Sequence, residues 1–121
     1  MVWDPTRITP KPWAGMLEFY RHIEERNDDF RPLGRLALHI ASQAYAASIA
    51  GATSGTALLV ARSADADWVH EAMRIDVSLA GSIRFTLPGT RLARPMAVEC
   101  EGDKIVGVFE SLLRKAKWLG P

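Results

Sequence analysis

The sequence predicts an α+β domain: two N-terminal helices, an antiparallel β-meander of four to five strands, and a C-terminal helix. Three observations predict it. Apolar residues recur at helical spacing over 13–23, the period changes to two between Val69 and Leu87, and helical spacing returns from Phe109 onward. Runs of helix followed by runs of strand give segregated rather than alternating layers, with the helices on one face of the sheet. At 121 residues and 48% hydrophobic content, the chain can bury a core without a metal or disulfide staple. We read residues 1–12 as a proline-rich arm and residues 13–121 as a single domain.

The arm, MVWDPTRITPKP, has three prolines and no apolar run of signal-peptide length. After it, Trp13, Met16, Leu17, Tyr20 and Ile23 form one apolar stripe, while Glu18, Arg21, His22, Glu25 and Arg26 fill the opposite side. Asn27, Asp28 and Asp29 close this helix, and Phe30-Arg31-Pro32 reads as a short connection, since the residue before proline is pushed out of helical geometry. Residues 33–50 are alanine-rich and lead to Gly51, which predicts a second, mostly enclosed helix ending there; its polar stripe is Arg35, His39, Ser42 and Gln43.

Gly51–Gly55 then reads as a break, and residues 56–61 as a central strand. Val69, Met73, Ile75, Val77 and Leu79 alternate with His70, Arg74, Asp76 and Ser78, which predicts a strand; a helix over 63–74, capped by Ser63, competes for its first half. Ile83, Phe85 and Leu87 continue the odd-numbered face. A three-residue loop pairing Leu79 with Ile83 and Val77 with Phe85 keeps apolar residues together. Gly102-Asp103 suits a two-residue hairpin with Glu101 opposite Lys104 and Cys100 opposite Ile105. Phe109, Leu112, Leu113, Ala116 and Leu119 form the last helix.

Lys and Arg number 15 against 14 Asp and Glu, a net charge of +1, which excludes a strongly basic nucleic-acid binder and an acidic disordered tail. By segment the charge is −2 over 1–30, zero over 31–79 and +3 over 80–121. The single cysteine, Cys100, cannot form an intramolecular bridge, so we expect a reducing, cytoplasmic setting. No stretch is long and apolar enough for a membrane span. His70-Glu71 opens like a zinc-protease helix, but Arg74 stands where the second histidine belongs; no metal or cofactor is expected.

Chemistry-bearing residues fall into four groups. On the even-numbered sheet face, His70 and Asp76 are candidate catalytic residues, with Trp68, Arg74 and Arg84 as candidate ligand contacts beside Ser78 and Thr86. Arginine recognises carboxylates bidentately and histidine exchanges protons near neutral pH, so this face suits acid/base work or a small anionic ligand. A polar solvated sheet face with no function is the plainer account of the same residues. His39, with Arg35 and Gln43, is a second ligand-binding candidate, relevant if its stripe opens onto the same cavity. Arg114, Lys115, Lys117 and Trp118 form a basic C-terminal end able to contact nucleic acid. Trp3 and Trp13 flank the arm and are candidate interface anchors. The expected function is a small binding or assembly domain, self-associating or joined to a protein partner, with an enzyme or anion binder and a nucleic-acid binder as alternatives.

Overall fold

The computed structural model describes residues 8–78, 80–88, 96–116 and 118. Helix α1 (Trp13–Glu24) and helix α2 (Arg31–Ala41) are followed by strands β1 (Ala50–Ser54), β2 (Ala57–Ala61), β3 (Met73–Val77), β4 (Ile83–Leu87) and β5 (Met96–Cys100), then helix α3 (Ile105–Lys115). The strands form one antiparallel sheet in sequence order β1-β2-β3-β4-β5. The fold is α+β, with two N-terminal helices, a five-stranded antiparallel meander and a C-terminal helix.

The helices cover one face of the sheet. Met16 and Tyr20 from α1, Leu33, Leu36 and Ile40 from α2, and Phe109 and Leu113 from α3 share a core with Leu58, Val60, Met73, Ile75, Ile83 and Phe85. These strand residues alternate, so the period of two aims them at one layer and leaves Arg74, Asp76, Arg84 and Thr86 on the other. A second, smaller cluster of Ala52, Leu59, Ala61, Trp68 and Ala72, with Ile8 against it, sits on that outer face at its β1–β2 end. The described end of the arm packs on the domain: Lys11 N donates to Gly51 O at 2.8 Å, and Ile8 packs against the outer cluster.

Five local expectations are corrected. The second helix does not run to Gly51. It begins at Arg31, with Pro32 in its first turn where a missing N–H costs nothing, and ends at Ala41, with Ser42 Oγ donating to His39 O at 2.7 Å. Gln43 is extended, a 3₁₀ turn covers Ala44–Ser48, and residues 50–54 form β1. Alanine is the best helix former, but propensity is a weak prior, and pairing with β2 overrides it over residues 50–54. Gly51 is no helix terminator: a Cβ there would lie 2.8 Å from the Trp13 indole, so glycine makes room for that ring.

The two-residue glycine hairpin is at Gly55-Thr56 rather than Gly102-Asp103. Ser54 pairs with Ala57, and Gly55 has φ +60°. Residues 102–104 are instead a 3₁₀ turn leading into α3, and Cys100 pairs with Ile83, not Ile105. Ile105, Phe109, Leu112 and Leu113 all bury at helical spacing, which strand geometry would have split between two faces.

Neither a strand nor a helix forms over 62–72; these residues make a chain of turns, and β3 starts only at Met73. Asp67 explains this, because its Oδ1 accepts from the backbone N–H groups of Val69 and His70 at 3.0 and 3.1 Å and holds the chain in a turn. The β3–β4 loop is closed by Ser78 and Ser82, with Ser78 N donating to Ser82 O at 2.8 Å and Gly81 at φ +84°. Ile75 therefore opposes Phe85 and Val77 opposes Ile83, two residues from the expected register but on the same face. Lys117 and Leu119 lie outside the described residues, as does Trp3.

Candidate functional site

The even-numbered face is brought together only in part. Arg74 Nε donates to Asp76 Oδ2 at 2.9 Å along β3, and the register places Asp76 opposite Arg84 and Arg84 opposite Glu99. Charge alternates across three strands, as it does where solvated cross-strand pairs stabilise a sheet. His70 does not join them. It stands in the loop before β3, strongly exposed, and its Nδ1 lies 2.8 Å from Asp67 Oδ2. Asp67 is thus the carboxylate that orients this histidine, in place of Asp76, and the hydrogen bonds from His70 hold the Asp67 carboxyl below the usual carboxylate range.

Trp68 lies at the other end of the outer face. It is buried on Ala52, Leu59, Ala61 and Ala72, and its Nε1 donates to Ala64 O at 3.3 Å. Beside it opens a pocket of about 130 Å³, lined by Ser54, Leu59, Trp68, Ala72 and Arg74 together with Ile8 and Val69. Trp68 and Arg74 therefore do meet, while Arg84 and His70 lie outside this lining. Ser54 was not anticipated, because in sequence it belonged to a glycine-flanked break; only the β1–β2 pairing shows that it shares a face with Leu59 and Arg74.

His39 does not share that cavity. It sits in the last turn of α2, where its Nε2 lies 2.9 Å from Glu110 Oε2 of α3, and Tyr45 Oη donates to the same oxygen at 2.7 Å. These two hydrogen bonds hold the Glu110 carboxyl below its ordinary range, while burial and the carboxylate push the Tyr45 phenol upward. Glu110 and Tyr45 carried no sequence signal, being 71 and 6 residues from His39 and brought to it by packing alone. The cluster ties α2, the 3₁₀ turn and α3 together.

A third feature lies between α1 and α2. An open groove of about 320 Å³ is lined by Leu17, Gly34 and Leu38, with Arg21, Arg31, Arg35 and Glu24 around it. Gly34 makes the close helix approach: a Cβ there would collide with the Glu24 carboxylate, which lies over it, and sit 3.5 Å from Tyr20 Cβ. Leu38 is 59% exposed although it lies in the middle of α2.

At the C-terminal end, Arg114 and Lys115 are exposed in the last turn of α3, where cations suit the helix dipole. Trp118 packs against the main core, which half covers the ring needed for base stacking. Trp13 likewise packs on its own domain, over Gly51. Cys100 is half-buried on the helix-covered face, and burial raises its thiol pKa, with Asp103 and Glu101 adding to the rise. Among the described residues, no helix is long and apolar enough to cross a membrane, and no three His, Cys, Asp or Glu residues are placed to hold a metal ion. No protein-family model, curated protein or solved structure matches this chain.

Proposed function

We infer that this protein acts by contact, as a small binding domain that seats an acidic, apolar-anchored segment of another protein between α1 and α2. The exposed Leu38 at the groove is the observation that carries the reading. Leu38, 59% exposed, and the half-buried Leu17 line one groove with charged residues around them, and an apolar strip rimmed by polar groups is the arrangement found at interaction sites. Around it stand Arg21, Arg31 and Arg35 against a single carboxylate, Glu24. Arg31 Nη2 already donates to Asp28 Oδ1 at 3.2 Å, whereas Arg21 and Arg35 have no ion pair among the described residues. Electrostatic complementarity then favours a partner with Asp or Glu flanking an aliphatic or aromatic anchor.

The same charges disfavour a groove-to-groove homodimer, since a two-fold contact would set one arginine rim against another. Self-association through another surface stays compatible with the reading. A reducing, cytoplasmic compartment is the setting that the single cysteine supports.

A fluorescently labelled amphipathic peptide with Leu anchors and Glu flanks tests the reading, beside a control carrying Lys for Glu. The acidic peptide binds saturably, the basic one does not, and Leu38→Asp abolishes binding while leaving the melting temperature unchanged. Equal binding of both peptides, or undiminished binding by Leu38→Asp, refutes it. Light scattering on the same samples reports whether a homodimer occupies the groove instead.

A further inference from the structure

We propose that the outer-face pocket between Ser54, Trp68 and Arg74 is a binding site for a short-chain monocarboxylate. This site is separate from the α1–α2 groove, since it lies on the sheet face that the helices leave uncovered. Two independent observations support it. Ser54, 9% exposed, lines the pocket, and its side chain makes no hydrogen bond to the described residues, while no buried side-chain oxygen or nitrogen among them lacks a partner, so its hydroxyl is reached from the pocket. That hydroxyl is free to donate to a ligand oxygen entering the pocket.

The second observation is the state of Arg74. Its Nε is held by Asp76 Oδ2 at 2.9 Å, which fixes the plane of the guanidinium beside the pocket and leaves its Nη donors for another acceptor. Asp76 offsets part of the arginine charge, so the site is tuned to a single negative charge rather than to a phosphate dianion. Leu59, Ala72 and Trp68 provide apolar walls for the alkyl part of the ligand. The volume, about 130 Å³, corresponds to roughly four water molecules, which limits the ligand to a short chain. It also excludes the drug-sized and nucleotide ligands that occupy about 300–1,000 Å³. Recognition thus combines a guanidinium–carboxylate contact at the mouth, a hydroxyl on the wall and a dry hydrocarbon lining.

Sodium butyrate is the probe, titrated into ¹⁵N-labelled full-length protein and followed by amide and indole N–H shifts. Butyramide, isosteric but uncharged, is the control for the charge requirement, and butylammonium is the control for its sign. Saturable shifts in the millimolar range at Ser54, the Trp68 indole and Arg74, produced by butyrate alone, support the site. Arg74→Gln weakens butyrate by about tenfold to a hundredfold, the range for losing a charge-assisted hydrogen bond, and Ser54→Ala by about two- to tenfold. Both variants are checked for an otherwise unchanged spectrum, which separates loss of a contact from loss of the fold. Butyramide binding as tightly as butyrate, no saturable shift at these residues, or a well-folded Arg74→Gln protein that keeps full affinity overturns the proposal.

Discussion

His39 Nε2 and Glu110 Oε2 meet at 2.9 Å although they are 71 residues apart, and this contact joins the end of α2 to the middle of α3. Tyr45 Oη reaches the same carboxylate oxygen at 2.7 Å, so one acceptor holds two donors from two other segments. Glu110→Ala strands both partners in a half-buried site and lowers stability by about 1–3 kcal/mol, measured by urea unfolding at neutral pH. The pH dependence follows from the sign of the shift. The folded-state pKa of Glu110 lies below its unfolded value, so its contribution is complete above the ordinary carboxylate range and is lost as pH falls through the depressed value. Glu110→Gln therefore flattens the acid limb of the stability profile; an unchanged limb would contradict the pairing.

Trp13 and Gly51 make a second, steric relationship. Three atoms of the indole would lie 2.8 to 3.1 Å from a Cβ on residue 51, closer than packed atoms tolerate. Gly51→Ala destabilises by about 1–3 kcal/mol through overpacking. A double-mutant cycle checks the cause: with Trp13→Ala in place, the added methyl meets no ring and the Gly51→Ala penalty shrinks. Strictly additive effects would locate the cost elsewhere.

Tyr20 is fully buried, and its hydroxyl donates to Thr56 O at 3.1 Å in the β1–β2 turn. Its phenol pKa is pushed up chiefly by burial. Tyr20→Phe keeps the packed ring and gives up one hydrogen bond, at about 0.5–1.5 kcal/mol. Tyr20→Ala empties the site and costs about 3–5 kcal/mol, as for other large buried aromatics. Thermal unfolding of the two variants should show that ordering, and a Phe variant as damaged as the Ala variant would make the hydroxyl, rather than the ring, the dominant contact.

Arg84 sits between Asp76 and Glu99 on neighbouring strands. Exposed pairs of this kind contribute little, so Arg84→Ala costs no more than about 1 kcal/mol. Arg84→Glu places three acids in one row and costs more, with the excess shrinking as salt is raised because these charges face solvent. Unfolding midpoints at low and high ionic strength separate the two variants. A salt-independent difference would exclude an electrostatic origin.

Much of the strand chemistry was legible because side chains alternate. Ile75, Val77, Ile83 and Phe85 share a face whether the β3–β4 loop closes at residue 78 or 79, so a register displaced by two still aims them at the core. The same argument failed before Met73, where Val69 and His70 mimic alternation but Asp67 bends the backbone into turns. The candidate site was legible in fragments. Trp68 and Arg74 were expected on one sheet face and do line one pocket, yet Ser54 joins them only through the β1–β2 pairing, and His70 proved to be a partner of Asp67. His39 was visible as a lone polar residue, whereas Glu110 and Tyr45 came to it through helix packing.

The sequence by itself determined which residues of α1, β3 and β4 avoid water, and with them the α+β class. Those follow from periodicity, a local property that survives errors in register. Only the tertiary structure decided where α2 stops, which glycine turns a hairpin and what lies beside what on the outer face. The alanine-rich run up to residue 50 favours a helix, but the partner strand β2 holds residues 50–54 extended, and the Trp13 ring occupies the space over Gly51. Gly55 and Gly102 each precede one residue suited to a turn, but β2 lies after the first and a buried helix face after the second. The energy that chooses between them is long-range burial.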